Sequence, residues 1–330
     1  MTAPAPDAKT AAAAAEAPHW AQMGENTFVA GMWLLYQVHR FLGRWPFLLC
    51  LYPIVAYYWL ASPVARRSSL QYLQRMQAAH SLWPHMPGWR QSQRHFRMFA
   101  EVILDKLLAL TGRYRFDRVA FTGREQFSAL LQQQGRGAVV VTAHMGCIEL
   151  CRAIAERHSG LRLSILVHTA HAERFNRVLQ RLAPDSGVQL LQVTEFNAAT
   201  AMMLGERVAR GELIAIAGDR VPVREGRVTH ATFLGHQAPF PCGPYVLASV
   251  LECPLYFMGC VHDGAGYAVE FVPLAERVLL PRARREQALA EYAGLFAQQL
   301  ERMLRKAPYD WFNFFPFWDQ AAPARPVPAA

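Results

Sequence analysis

Hydrophobic and polar residues follow two rhythms along this chain, and the change comes near residue 137. Upstream, residues 64–110 carry apolar positions at helical spacing, as in Met98, Val102, Leu104, Leu107 and Leu108, and predict helices. Before them, the stretch from Trp45 to Ala65 has no charged residue and is bracketed by Arg40, Arg44, Arg66 and Arg67. About 20 apolar residues in a helix can cross a bilayer. Pro46 and Pro53 interrupt this stretch, and Tyr52, Tyr57, Tyr58 and Trp59 are aromatics that favour a membrane interface. Residues 28–36 form a second apolar stretch. Three arrangements fit the pair: one of them spans a membrane, both lie in its plane, or they make a buried helical hairpin.

Downstream, short apolar runs rich in β-branched residues predict strands at 138–141, 163–167, 188–193, 213–217, 255–260 and 268–272. Helical patterns fall between them at 148–157, 172–182, 198–210 and 243–251, and a last amphipathic helix covers 283–306. This alternation predicts an α/β fold with a mostly parallel central sheet flanked by helices. No sequence repeat is present. Residues 309–318 hold seven aromatics in ten positions, which reads as a C-terminal strand packed on the core, or as the wall of an apolar channel or a membrane rim.

Composition narrows the class. Hydrophobic residues make up 52% of the 330 and charged residues 18%, below the usual charged share of about 25%. The chain is neither disordered nor an ordinary well-solvated domain. Its net charge is +9, and only Lys9, Lys106 and Lys306 among the 34 basic residues are lysines. Arginine suits bidentate contact with phosphate and carboxylate, although a GC-rich genome explains the excess equally well. Basic charge joined to high apolarity points to an anionic membrane surface or an acidic carrier, and away from nucleic acid. The six cysteines form no C-x-x-C and read as reduced core thiols. Residues 1–18 are Ala/Pro-rich, lack the features of a secretory signal, and predict a disordered tail, which leaves the bulk of the protein in the cytoplasm.

Several chemistries are missing. The chain has no phosphate-binding loop of the G-x-x-x-x-G-K-[ST] type, no G-x-G-x-x-G turn, no G-x-S-x-G elbow and no H-E-x-x-H. Cys147 and Cys151 lie near His144 without an evident fourth ligand, so neither a metal nor a cofactor is expected.

The segment that stands out is 137–149, GAVVVTAHMGCIE. A buried strand ends at Ala143, His144 follows, Gly146 permits a tight turn, and a helix begins that carries Glu149. A histidine at a strand's carboxyl end sits where α/β sheets bind ligands. From one turn into the helix, Glu149 could reach back to one imidazole nitrogen, leaving the other as a base near neutral pH. The spacing alone is weak: 12 histidines and 25 acids produce about one such pair by chance. The chain has two, His144/Glu149 and His168/Glu173, and only the first has the glycine turn. On spacing alone, His144 is a catalytic base or a strand-end residue capping the next helix.

The order of these blocks resembles the late acyltransferases of lipid A biosynthesis, within the larger lysophospholipid acyltransferase group. The likeness runs over about residues 20–320. It is carried by His144–Glu149, the block HAERFNRVL at 171–179, the Gly218-Asp219-Arg220 turn and the block FLGHQAPFPCGP at 233–244. Trp20, Gly24, the apolar segment and Ala65-Arg66-Arg67-Ser68 fit as well. The family often has Gln after the Asp, so Arg220 is a departure.

The resemblance implies an acyltransferase that moves a fatty acyl group from acyl carrier protein, or coenzyme A, to a hydroxyl of a lipid or glycolipid. It implies His144 as general base, Glu149 as its orienting carboxylate, and no acyl-enzyme. Backbone N–H groups around Gly146 are candidate oxyanion donors. Arg174, Asn176 and Arg177 fall where the family binds the acceptor's head, or form a solvated helix face. Asp219 and Arg220 are a substrate contact or a structural ion pair, and Gly243 opens a helix that faces an anion or merely starts there. The aromatic tail is similar to relatives encoded with aryl-polyene pathways, which adds an aryl-polyene acyl donor. The implied organisation is a tail (1–18), a membrane-associated helical region (19–110), an α/β acyltransferase domain (111–320) and a second tail (321–330), on the cytoplasmic face of the inner membrane. A hydrolase using the same His/Glu pair and a catalytically silent lipid-binding scaffold are the rival expectations.

Overall fold

A computed structural model describes residues 29–123, 135–151, 162–167, 188–192, 197–221 and 227–319. Four helices come first: α1 (Val29–Leu42), α2 (Arg44–Ala61), α3 (Pro63–His80) and α4 (Trp89–Leu110). The uncharged stretch from Trp45 is not one helix. It breaks at Ser62, ahead of Pro63, where α2 and α3 meet at 96°, since a proline favours a helix start over a helix interior. Among the described residues no single helix is long and apolar enough to cross a membrane.

The strands are β1 (Val119–Thr122), β2 (Val139–Thr142), β3 (Leu163–Val167), β4 (Val188–Gln192), β5 (Leu213–Ala217), β6 (Val228–Phe233), β7 (His236–Pro241), β8 (Leu255–Asp263) and β9 (Gly266–Ala275). The later helices are α5 (Ala198–Ala209), α6 (Gly243–Val250) and α7 (Arg285–Lys306). Seven strands form one sheet in the order β1-β9-β8-β2-β5-β3-β4. Every neighbouring pair is parallel except the β8–β9 hairpin. The predicted mostly parallel sheet is therefore present. β6 and β7 make a separate antiparallel hairpin, whose turn and second strand come from the block at 233–244.

β2 lies at the centre with all four residues buried. A parallel strand covered on both faces must be apolar throughout, which is why VVVT does not alternate. Its side chains still divide by period two. Val139 and Val141 join one core with Ile214 of β5, Phe257 of β8 and Phe296 and Leu300 of α7. Ala138 and Val140 join the other with Ala215, Met258, Cys260 and Val102 of α4. Burial of one such Phe side chain contributes about 2–3 kcal/mol. A third cluster joins Leu104 and Leu107 of α4 to Tyr36 of α1 and Phe47, Leu51 and Val55 of α2. α4 thus faces the sheet with one side and the first two helices with the other.

The tail at 309–318 is packed on the core but is not a strand. A single bridge, Met145 to Trp311, is its only ladder contact among the described residues. Trp311, Phe312, Phe315 and Phe317 are buried, so ring packing replaces the ladder. The segment acts as a strap across the carboxyl edge of the sheet.

Candidate active site

Three neighbouring strands, β8, β2 and β5, run in the same direction and end at one edge. β2 delivers His144 there, and β5 delivers Asp219. The turn after β2 depends on Gly146, whose φ is +47° and where a Cβ would run into the Cys260 carbonyl of β8. Gly218 continues the sheet by donating its N–H to the Thr142 carbonyl at 2.8 Å, which sets Asp219 beside His144.

Asp219 grips His144 at two points. The His144 backbone N–H donates to Asp219 Oδ2 at 2.9 Å, and Nδ1 lies 2.8 Å from Oδ1. The indole N–H of Trp311 also donates to Oδ2, at 2.9 Å. Asp219 is 1% exposed, whereas the His144 side chain is 46% exposed. Burial alone would push the Asp219 carboxyl up. The charge and hydrogen bonds of His144, with the nearby Arg220 guanidinium, outweigh it and hold the carboxyl well below its usual range. An ionised Asp219 accepts only, so Nδ1 carries the hydrogen and the lone pair stays on Nε2. Among the described residues Nε2 has no hydrogen-bond partner.

Glu149 does not fill the orienting role expected of it. Its carboxylate pairs with Lys106 of α4 at 3.0 Å, and the Cys147 thiol lies 3.9 Å away. The reason is directional. The helix opens at Ile148, and Cys147 and Ile148 join the core on the α4 side of the sheet, so Glu149 turns to that side. Of the backbone N–H groups around Gly146 expected as oxyanion donors, that of Gly146 itself is taken by the Asp310 carbonyl at 2.9 Å.

This strand-end histidine with an ionised orienting carboxylate sits in the chain that a sequence model of bacterial lipid A biosynthesis acyltransferases matches over residues 88–320. The chain belongs to that family. It is an acyltransferase, and the family implies an acyl donor and a lipid acceptor. No curated protein sequence matches the chain.

The remaining expected site residues of the acyltransferase divide into three groups. Arg220 stands next to the pair but faces the strap: it donates to the Phe312 carbonyl at 3.0 Å and to Asn313 Oδ1 at 3.3 Å, and its guanidinium lies 4.4 Å from the Phe315 ring centre. Gly243 opens α6, where a Cβ would find only Ile216 of β5 nearby. No hydrogen bond joins it to the His144–Asp219 pair among the described residues. Arg174, Asn176 and Arg177 lie outside the described residues, as does the pair His168/Glu173. Among the described residues no group of His, Cys, Asp and Glu could hold a metal ion.

A second His–Asp pair was not anticipated. His262, near the end of β8, receives Asp310 of the strap just as His144 receives Asp219. Its backbone N–H donates to Oδ2 at 2.5 Å and Nδ1 lies 2.9 Å from Oδ1. Its Nε2, however, faces Asp105 of α4 at 3.9 Å, and Asp105 accepts from the Tyr267 hydroxyl at 2.8 Å. Burial lowers the His262 pKa, but the Asp310 hydrogen bond and charge, with Asp105 and Glu101, raise it above the ordinary value. The sequence holds one signal for Asp310, an acid alone among aromatics. For Asp219 as the partner of His144 it holds none, since the two are 75 residues apart.

Proposed function

We propose that this acyltransferase moves a fatty or aryl-polyene acyl group from an acyl-carrier thioester to a hydroxyl of a lipid or glycolipid such as a lipid A precursor, with His144 as general base and Asp219 orienting it. The observation that carries this reading is the asymmetry of the imidazole: Nδ1 is held by a buried carboxylate, while Nε2 has no hydrogen-bond partner among the described residues on a half-exposed side chain. In the reaction Nε2 takes the proton of the acceptor hydroxyl, and the oxygen attacks the thioester carbonyl. The tetrahedral oxyanion then collapses, the C–S bond breaks, and the imidazolium returns the proton to the thiolate. Base catalysis of this kind contributes about 10²–10⁴-fold, and alignment of two bound substrates supplies much of the rest.

An acidic carrier protein suits the net charge of +9, which would steer it to the enzyme. Attachment to the cytoplasmic face of the inner membrane is supported by the first two helices. Phe41, Trp45, Leu49, Tyr57 and Leu60 are exposed there, among Arg40, Arg44, Arg66 and Arg67, as expected for helices lying in an anionic interface.

The test is purified enzyme in vesicles with an acyl-carrier thioester and extracted lipid. Wild type forms acylated lipid, and His144→Ala does not. Full activity in the variant would refute the mechanism, and free fatty acid without acylated lipid would make the protein a hydrolase.

A further inference from the structure

The strap carries the one side chain besides His144 that hydrogen-bonds Asp219 among the described residues, and that side chain is itself held from behind. Trp311 is fully buried among the rings of Tyr72, Phe233 and Phe317, with centroids 5.0, 5.3 and 5.0 Å away. Its indole N–H reaches Asp219 Oδ2 at 2.9 Å. Its own carbonyl lies 2.7 Å from His95 Nε2 of α4. A carbonyl only accepts, so Nε2 of His95 carries the hydrogen. Its Nδ1 is 3.0 Å from Ser69 Oγ of α3 and accepts there. Ser92 donates to Ser69 at 3.1 Å, and the Trp59 indole of α2 donates to Ser92 at 3.0 Å. Burial of His95, only partly offset by its bond to the Trp311 carbonyl, pushes its pKa down to about 4, which keeps it neutral. Every donor in this chain points the same way, from α2 through α4 and α3 to the strap.

We infer that Trp311 is a positioning residue for acyl transfer: held in place by His95, its indole N–H fixes the Asp219 carboxylate so that Oδ1 faces His144 Nδ1. The inference rests on His144 as the base, but it predicts more than that reading does. A carboxylate held by one donor on each oxygen can still rock about its last bond. Two donors on Oδ2, the His144 backbone and the indole, leave Oδ1 a single orientation. Removing the indole donor leaves Oδ2 with the His144 backbone N–H alone and loosens the carboxylate without touching the imidazole or either substrate.

Trp311→Phe in the full-length protein keeps an aromatic ring and deletes the donor. With an acyl-carrier thioester and lipid vesicles, kcat falls about tenfold or more while KM stays within about twofold, the loss expected for one hydrogen bond to a charged group that matters only in the transition state. The low-field proton resonance of His144 Nδ1–H moves upfield and broadens. That resonance is read without substrate, so it tests Trp311 even if His144→Ala keeps activity and the catalytic reading fails. A His95 series covers the case in which the Phe variant does not fold. His95→Gln, whose amide still donates to the Trp311 carbonyl, stays near wild type, and His95→Leu reproduces the loss in kcat and the resonance shift. An unchanged kcat with an unchanged resonance in Trp311→Phe, or in His95→Leu should the Phe variant not fold, would overturn the inference.

Discussion

The carboxyl edge of the sheet holds two His–Asp pairs built on one plan, and they do different things. In each, the aspartate takes the histidine's backbone N–H with one oxygen and lies against Nδ1 with the other. In each, the aspartate is 1% exposed. The difference is at the far nitrogen. Nε2 of His262 meets Asp105, and its side chain is 23% exposed; His144 is 46% exposed and its Nε2 meets nothing among the described residues. An orienting carboxylate therefore does not make a histidine a base. A second acid raises the His262 pKa further, and His262 ties β8 to the strap and α4. On the proposed mechanism, the pair with an open end is the one that takes the substrate's proton.

Substitutions that break this contrast are ordered by expected effect. His144→Ala lowers acyl transfer by about 10²–10⁴-fold while the variant stays folded at the assay temperature. His262→Gln in the same assay keeps activity within a few-fold, and a loss equal to that of His144→Ala would erase the distinction. Stability does not separate the pairs. His262→Ala and His144→Ala each leave a buried aspartate without its imidazole and each cost about 2–4 kcal/mol in urea unfolding, so activity is the readout that distinguishes them.

The pH dependence sharpens the contrast with a third histidine. His95 is neutral in the fold, and its pKa goes from 6.5 to about 4. Below 6.5 the unfolded chain binds a proton that the native chain refuses, so stability falls as the pH drops from 6.5 toward 4, by about 3 kcal/mol over that window. His95→Gln abolishes this slope. His262 behaves in the opposite sense because its folded pKa is raised, with Asp310, Asp105 and Glu101 facing it. Its contribution is complete below 6.5 and is lost as the pH rises through the folded value. Urea titrations of wild type and His262→Gln between pH 6 and 9 read this smaller effect, and identical slopes would contradict it.

Much of the fold is legible in the chain. β3 and β5 have the bounds that their apolar runs predict, because strands covered on both faces need unbroken apolarity. The β6–β7 hairpin is hidden, since HQAPFP contains two prolines and follows a Leu234-Gly235 turn, a pattern that local chemistry assigns to a loop. His144 was legible as a strand-end histidine before a glycine turn. Its partner was not. Proximity along the chain favours Glu149, but a parallel sheet brings together strand ends that are far apart in sequence, and strand order cannot be read from spacing. The strap is a similar case: its aromatics predict burial correctly, yet nothing in their spacing shows Trp311 reaching Asp219.

The most direct test of the account compares kcat for Asp219→Asn and Glu149→Gln, each in full-length protein on vesicles with an acyl-carrier thioester and lipid acceptor. With Asp219 as the orienting carboxylate, Asp219→Asn loses about 10²-fold or more, while Glu149→Gln, which frees Lys106, loses stability and keeps kcat within a few-fold. A larger loss of kcat in Glu149→Gln than in Asp219→Asn would contradict the account and return the role to the neighbour in sequence.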